Sequence, residues 1–393
     1  MNKALLHKEV QDFLETNYKE EISKILFKGS PFPEVTPQEL GIQLSGKKKV
    51  EKKLPTWFNT RGIIYSPTLN LEQTSSEKTA DYKASLISGN SIVDVTGGFG
   101  IDSYFFSKRF EKVVHCELNE ELSEIASHNF EVLERPNVQN FCGNGIEFIK
   151  NSSEKFDWIY IDPSRRDDAG GRVFHLSDCL PNVPEHLNML WENTDNILIK
   201  TSPLLDITAG IRELENIAEI HVVAVENDVK ELLWILKKDA SQEIKIKTIN
   251  FRKSGDQVYE NRLQKATQPA LSQPLRFLYE PNAALMKSAL YDQLASELDL
   301  FKLHPHTHLY TSSQITDYPG RRFEIIETIP FKKKRIKAAL TVKKAHIATR
   351  NFPESVATLR KQFKLKDGGE NYLFFTTSLN DEKILLMCEK VSN

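Results

Sequence analysis

The chain has 393 residues, of which 40% are hydrophobic and 27% charged, and its formal net charge is −2 at pH 7. This length suits two or three domains, and the near-neutral balance excludes a protein that is basic throughout. The chain has no apolar run near the roughly 20 residues of a membrane helix, no signal-peptide core and no C-x-x-C among its four cysteines, so we expect a cytoplasmic protein.

The first 45 residues or so carry apolar side chains at helical spacing, including Val10, Leu14 and Ile22, and prolines follow at 31, 33 and 37. This pattern predicts a small helical region. A further helix is predicted to open near Ser75, because serine caps helix N-termini. The helix runs directly into the first strand, so its beginning, with Gln73 and Ser75, either roofs a ligand pocket or packs as an ordinary helix.

An apolar strand at 92–95 breaks into glycines at 97, 98 and 100 and restarts as a helix. Glycines let backbone N–H groups approach a ligand and tolerate positive φ, so the segment predicts a nucleotide-binding turn. Asp94 and Asp102 bracket the turn and Ser103 replaces a third glycine, which disfavours NAD or FAD. The absence of a following Gly-Lys-Ser/Thr disfavours a P-loop. A nucleoside with a cationic group, such as S-adenosylmethionine, fits better.

The next three strands also end in polar residues. The second ends in Glu117, nineteen positions after Gly98, where an acid can accept both ribose hydroxyls in a βαβ nucleotide fold. Leu118 would then lie against the adenine. A third strand, 138–145, runs into Gly-Asn-Gly, where Asn144 can read the adenine edge. A fourth, 156–161, is followed by Asp-Pro-Ser-Arg, beginning at Asp162.

These four elements, in this order and spacing, resemble class I S-adenosylmethionine-dependent methyltransferases over roughly residues 70–250. In this resemblance residues 94–100 are motif I, Glu117 is the ribose acid, Asn144 is the adenine contact and residues 162–165 are motif IV. Thr96 replaces the usual first glycine of motif I, and Asn144 replaces the commoner aspartate. Motif IV lacks a Pro-Pro-aromatic ending, so an aromatic clamp on an exocyclic amine is not indicated.

The resemblance implies S-adenosylmethionine as the cofactor. The residues expected to bind it are Asp94, Thr96, Gly97, Gly98, Gly100, Asp102, Glu117, Leu118, Asn144, Asp162 and Gln73. Asp162 is also expected to orient or deprotonate the methyl acceptor. Arg165, the second catalytic candidate, and Arg166 suit a phosphate or carboxylate of the substrate, or else a salt bridge to Asp167 or Asp168.

Strands five, six and seven are predicted at 197–200, 221–226 and 243–247, with helices at 204–217 and 229–237. Seven strands alternating with helices predict a doubly wound α/β sheet with ligands at the carboxyl ends of its strands. The resemblance adds a Rossmann-like strand order, 3-2-1-4-5-7-6, in which strand seven is antiparallel.

Beyond about residue 265 we expect a helix at 279–286, strands at 323–329, 336–342, 373–377 and 384–387, and a helix at 353–363. Residues 348–353, 359–361 and 366–369 resemble THUMP-like domains attached to some bacterial methyltransferases. THUMP domains proper bind RNA, so the resemblance implies that role. The expected domains are an N-terminal helical cap and linker (1–70), a class I methyltransferase domain (71–265) and a THUMP-like α+β domain (266–393), with a ferredoxin-like portion near 275–330.

Residues 331–366 contain twelve lysines and arginines and one acid, Glu354. Such a basic region attracts a phosphate backbone, although a solvated lysine-rich edge is the alternative. We therefore expect a methyltransferase that acts on RNA and docks it through 331–366. The alternatives are methyl transfer to a small molecule or protein, or a cofactor-binding scaffold without transfer activity.

Two further groups of residues are candidates for other chemistry. His304, His306 and His308 would share one strand face, but adjacent positions on a strand rarely converge on one ion, so we expect no metal site. Cys142 and Cys179 are candidate nucleophiles for pyrimidine C5 methylation, but we expect both to be buried and inert.

Overall fold

The computed structural model describes residues 1–66, 74–165, 175–241, 243–263 and 268–391. The chain divides into two compact units, 1–218 with 232–242, and 219–231 with 243–393. The expected domain boundaries after residues 70 and 265 both fall outside the described residues. Along the described chain, no helix combines the length and the apolar character that crossing a membrane requires.

The helices begin where polar side chains can cap them. At Thr36, for example, the hydroxyl accepts from the Glu39 N–H (3.2 Å) while the Glu39 carboxylate accepts from the Thr36 N–H (2.7 Å). Short 3-10 helices lie at Lys3–Leu6, Leu176–Asp178 and Leu379–Asp381. The described α-helices are α1 (Lys8–Asn17), α2 (Ile22–Lys28), α3 (Pro37–Val50), α4 (Pro55–Asn59), α5 (Glu77–Ser85), α6 (Ile101–Phe106), α7 (Glu120–Val132), α8 (Gly145–Asn151), α9 (Val183–Asn193), α10 (Ile207–Glu213), α11 (Ala283–Ser288), α12 (Tyr291–Glu297), α13 (Lys333–Ala339) and α14 (Val356–Phe363).

The described strands are β1 (Ser91–Asp94), β2 (Lys112–Glu117), β3 (Val138–Cys142), β4 (Trp158–Ile161), β5 (Ser164–Arg165), β6 (Cys179–Leu180), β7 (Asn196–Thr201), β8 (Ile217–Val225), β9 (Asp228–Lys237), β10 (Lys245–Phe251), β11 (Gln257–Arg262), β12 (Phe277–Pro281), β13 (Phe301–His304), β14 (Thr307–Ser312), β15 (Gly320–Pro330), β16 (His346–Arg350), β17 (Asn371–Thr377) and β18 (Lys383–Lys390).

The larger sheet has the order β11-β10-β8-β9-β7-β4-β1-β2-β3. β1 pairs in parallel with β2 and β4, β2 with β3, and β4 with β7, so the carboxyl ends of these five strands lie at one edge. β1, β4 and β7 are almost wholly buried, as strands covered on both faces must be. The expected Rossmann-like α/β fold is confirmed.

The helix expected at 229–237 was wrong, because these residues belong to β9, which runs antiparallel beside β7. Glu226 and Asn227 have φ of 49° and 65° and form the two-residue turn of a hairpin between β8 and β9. The run 232–236 is buried, and a short apolar run does not distinguish a strand from a buried helix. β9 therefore takes the antiparallel position expected for 243–247, whereas β10 lies parallel to β8.

The N-terminal helices pack against the elements that carry the glycine turn. Trp57 of α4 meets Tyr104 of α6 edge-on, with 4.7 Å between ring centroids. Tyr65 stacks on Phe99 of the turn at 6.3 Å, and a Cβ on Gly46 of α3 would collide with the Tyr65 ring. The N-terminal region and the turn thus belong to one packed unit.

The second sheet has the order β13-β14-β12-β15-β18-β17-β16. Its two faces bury separate clusters, since adjacent residues of a strand point to opposite faces. Phe374 belongs to one cluster and Phe375 to the other. The strand expected at 336–342 was wrong, because 333–339 form α13. Ile336 is the buried residue of this helix, and its lysines and arginine are exposed.

Other differences are local. The helices expected at 204–217 and 279–286 begin later, because Asp206 and Asn282 cap α10 and α11. His304 ends β13 and His308 lies in β14, so the histidines do not share one strand. Cys179 is buried as expected, but Cys142 is exposed, because it lies on the edge strand β3, whose residues 139–142 are exposed.

Candidate functional site

The glycine turn follows β1 at the carboxyl edge of the larger sheet. The Gly97 N–H donates to the Cys116 carbonyl of β2 (2.8 Å), and the Gly100 N–H donates to the Gly97 carbonyl (3.0 Å). Gly98 and Gly100 have φ of 56° and 83°, which side chains rarely tolerate. Backbone hydrogen bonds therefore hold the turn in a conformation that glycine permits.

The three glycines have different roles. A Cβ on Gly97 would collide with the ring of His115, and a Cβ on Gly100 with the ring of Phe130. A Cβ on Gly98 would meet no described atom nearer than the Thr96 carbonyl oxygen at 4.0 Å. Gly97 and Gly100 are thus required for packing, whereas Gly98 faces a space that a ligand can occupy.

Glu117 at the end of β2 faces this turn. Its two carboxylate oxygens accept from the N–H groups of Gly98 (2.8 Å) and Asn119 (2.7 Å). Each carboxylate oxygen carries two lone pairs and can accept a further donor, such as a ribose hydroxyl. The neighbouring Leu118 is 72% exposed and offers an aliphatic surface beside the turn. These features fit the adenosine part of the implied cofactor.

Asn144 follows β3 and caps α8. Its carbonyl oxygen Oδ1 accepts from the Ile146 N–H (2.9 Å), which leaves the amide NH₂ as a group that can donate to an adenine ring nitrogen. A Cβ on Gly145 would collide with the backbone of Val95. The end of β3 is therefore packed directly against the start of the glycine turn.

Asp94 lies beneath the turn. It is 1% exposed, and its two carboxylate oxygens accept from the Thr96 N–H (3.0 Å) and the Ser103 hydroxyl (2.7 Å). Burial raises the pKa of Asp94 to about 7, and the nearby carboxylates Asp102 and Asp162 add to the rise. Because nearby negative charge penalises its ionised form, a cationic ligand at the turn would favour that form.

Asp102 of α6 belongs to a buried polar cluster. Its Oδ2 accepts from the hydroxyls of Tyr160 (2.7 Å) and Ser75 (3.1 Å), and its Oδ1 lies 3.3 Å from the Lys83 ammonium nitrogen. Burial alone would raise the pKa of Asp102, but Lys83 and Lys200 hold it below its usual value. The segment that leads into α5 therefore reaches the site through Ser75.

Asp162 pairs with Lys200, which the sequence patterns left unassigned. The ammonium group of Lys200, at the end of β7, donates to the Asp162 carboxylate, and the Asp162 N–H donates to the Thr96 hydroxyl (2.7 Å). The side chain of Asp162 is 33% exposed and that of Lys200 is 11% exposed, so the pair reaches the surface mainly through the carboxylate. The sequence signal that could have identified Lys200 as a site residue is its position near the end of an apolar strand, at the edge of the sheet where ligands bind.

Other expected residues lie apart from these clusters. Gln73 and Arg166 fall outside the described residues. The backbone of Arg165 lies in β5 and pairs with Cys179 of β6. Among the described residues, no group of three or more histidines, cysteines and acids is placed to hold a metal ion. His304 instead pairs with Asp381 (2.9 Å).

Ten of the twelve basic side chains in 331–366 are exposed in the second unit. Arg350 instead donates to the buried Glu280 (2.6 Å), and Arg360 donates to Asp367. The exposed ones are Lys332, Lys333, Lys334, Arg335, Lys337, Lys343, Lys344, Lys361, Lys364 and Lys366.

Comparisons with known proteins match both units. A family described as THUMP domain-like matches residues 320–390, and a family described as a ferredoxin-like domain matches 277–319. No curated protein matches the chain. The crystal structure of a protein assigned as a methyltransferase from Porphyromonas gingivalis W83 is similar over 99% of this chain and 99% of that chain, at 30% identity and a TM-score of 0.89.

Two further solved structures each match less than half of this chain. An rRNA methylase from Streptococcus thermophilus covers 41% of this chain and 94% of its own, at 14% identity and a TM-score of 0.31. TrmK of M. capricolum, in complex with S-adenosylhomocysteine, covers 41% of this chain and 68% of its own, at 18% identity and a TM-score of 0.32.

Proposed function

Because the chain belongs to a family of class I methyltransferases that carry a C-terminal THUMP-like domain, we propose that it transfers the methyl group of S-adenosylmethionine to RNA. The observation that carries methyl transfer is the similarity to one such protein over nearly the whole of both chains. The open face of Gly98 and the free lone pairs of Glu117 support the cofactor.

In this proposal the turn and its neighbours hold the adenosine part of the cofactor. Glu117 accepts from the ribose hydroxyls, and Leu118 and Asn144 lie against the adenine. Asp94 acts from beneath the turn, where the negative charge of its ionised form favours a cationic ligand. Asp102 accepts from the Ser75 hydroxyl and so holds the segment before α5 at the site. S-adenosylmethionine supplies a methyl group activated on a sulfonium cation.

Binding by calorimetry tests the cofactor part. S-adenosylhomocysteine should bind the wild-type protein, and Gly98→Val should abolish binding because its side chain enters the ligand space at a positive φ. Gly255→Val is the matched control, since Gly255 has φ of 112° and lies in the other unit. Absence of binding to the wild-type protein would refute the proposed cofactor.

RNA as the substrate is supported by the THUMP-like match and by the exposed basic side chains of 331–366. Labelled S-adenosylmethionine is incubated with the protein and bacterial total RNA, and Asp162→Ala serves as the inactive control. Label should enter RNA with the wild-type protein only. Label in protein or in small molecules would favour the alternative acceptors, and binding without any transfer would favour a scaffold.

Charge reversal tests the docking region. The triple variant Lys333→Glu, Lys334→Glu, Arg335→Glu should weaken RNA binding and flatten the dependence of log K on log salt by about 2, if the three groups contact a single strand. The matched control reverses Lys48, Lys49 and Lys52, three exposed lysines of the first unit. Equal losses in both variants would show that binding is not localised to 331–366.

A further inference from the structure

We propose that Asp162 and Lys200 form the acceptor-binding pair of this enzyme and that the acceptor is a hydroxyl group, the ribose 2′-hydroxyl of RNA. The inference rests on the proposed function, because it specifies which atom of the RNA receives the methyl group.

The first support is the position of the pair. β4 and β7 are adjacent parallel strands, with Ile161 opposite Ile199, so Asp162 and Lys200 emerge together at the carboxyl edge where ligands bind in such sheets. The hydrogen bond from the Asp162 N–H to the Thr96 hydroxyl fixes the pair beside the glycine turn. The carboxylate is one-third exposed, so an acceptor can reach it from outside.

The second support is the charge that develops on the acceptor during methyl transfer. A hydroxyl oxygen becomes more negative as it loses its proton, whereas a neutral amine becomes positive as it attacks. A fixed ammonium group such as that of Lys200 stabilises the developing negative charge of the hydroxyl oxygen and disfavours the developing positive charge of the amine. The Asp162 carboxylate is already engaged by Lys200, and Asp102 is likewise engaged by Lys83, so neither offers an unpaired negative charge to an amine.

The proposed step balances with the groups present. The acceptor O–H bond breaks and its proton passes to the Asp162 carboxylate, which later releases it to water. The oxygen lone pair forms the new O–C bond while the S–C bond of the methyl donor breaks, and that electron pair stays on sulfur as a neutral thioether. Lys200 remains an ammonium group and donates to the acceptor oxygen.

Alkaline hydrolysis of the labelled RNA tests the acceptor atom. Alkali cleaves RNA through the 2′-hydroxyl, so a 2′-O-methyl group protects the adjoining bond and leaves the label in dinucleotides. Methylation of a base leaves the label in mononucleotides. We expect alkali-stable dinucleotides. Label in mononucleotides would overturn this inference alone, whereas an absence of label in RNA would refute the proposed function and this inference with it.

Variants of Lys200 test its part in the step. Lys200→Met should lower kcat about 100-fold, as loss of one donor to a developing anion does, while Lys200→Arg retains a cation and should restore most of the rate. The affinity for S-adenosylhomocysteine, measured by calorimetry, should be unchanged in both variants. Lys112→Met, which removes a lysine paired with Glu154 at the opposite edge of the sheet, is the matched control.

The outcomes separate a chemical from a structural role. Unchanged kcat in Lys200→Met would overturn the assignment. An equal loss in Lys200→Arg, accompanied by weaker binding of S-adenosylhomocysteine, would assign Lys200 a structural role instead. If Lys200→Met does not fold, the alkali test on the wild-type protein and the kcat of Lys200→Arg still decide the matter.

Discussion

Replacing Lys83 by methionine should destabilise the first unit by about 3–5 kcal/mol, the cost of breaking a buried ion pair on one side. Lys83 is 0% exposed, and its ammonium nitrogen lies 3.3 Å from Oδ1 of Asp102. At that distance the Coulomb energy is about 5 kcal/mol with an effective dielectric constant near 20. Methionine has a similar length, so the loss comes from the ion pair and from the hydrogen bond that the Lys83 ammonium donates to the Ser75 hydroxyl (2.9 Å), and not from a cavity.

The remaining hydrogen bonds of Asp102 reduce the loss of stability in Lys83→Met but do not abolish it. Its Oδ2 keeps the hydroxyls of Tyr160 and Ser75, whereas Oδ1 loses the cation that offsets its burial. A double variant, Lys83→Met with Asp102→Asn, removes both charges and should recover most of the lost stability, because no uncompensated charge remains.

Thermal unfolding measures both variants. For a unit of this size, about 4 kcal/mol corresponds to a fall in Tm of roughly 10 °C. A fall equivalent to less than about 1 kcal/mol in Lys83→Met would show that Lys83 does not neutralise Asp102. A double variant as unstable as the single one would show that the loss comes from packing and not from charge.

Three further changes address the turn itself. Burial raises the pKa of Asp94 to about 7, so its contribution to stability is full in acid and is lost as the pH rises through that value. Relative to Asp94→Asn, the free energy of unfolding of the wild-type protein should fall by roughly 2–3 kcal/mol between pH 5 and pH 8. Parallel pH profiles of Tm for the two proteins would contradict this. Thr96→Val leaves the Asp162 N–H without its acceptor and should cost about 1–3 kcal/mol, measured by denaturant unfolding. Glu117→Gln removes a charged acceptor and should weaken S-adenosylhomocysteine binding by about tenfold or more, so an unchanged Kd in calorimetry would exclude the ribose contact.

The sequence by itself predicted the central sheet, and the resemblance to class I methyltransferases supplied the order of β3, β2, β1, β4 and β7 within it. The glycines at 97, 98 and 100 after an apolar strand, and the acid Glu117 nineteen positions after Gly98, are local patterns that can be recognised without knowledge of the tertiary contacts. Their chemistry also located the candidate cofactor site, because the carboxyl ends of parallel strands meet at one edge. The sequence patterns predicted the wrong structure at β9 and α13, because a short apolar or mixed run is compatible with either a helix or a strand. Which of the two forms depends on the neighbouring strands and on burial in the folded chain.

Only the tertiary structure decided how the charged groups of the site are paired. Lys83 meets Asp102, and Lys200 meets Asp162, across separations of nineteen and thirty-eight residues. It also turned Asp94 inward, where burial raises its pKa. Pairing and burial depend on which strands and helices become neighbours, and an ionisable group buried on folding must find a partner or change its protonation. Local sequence patterns carry neither piece of information, so the types of residue at the site could be read from the sequence but their partners could not.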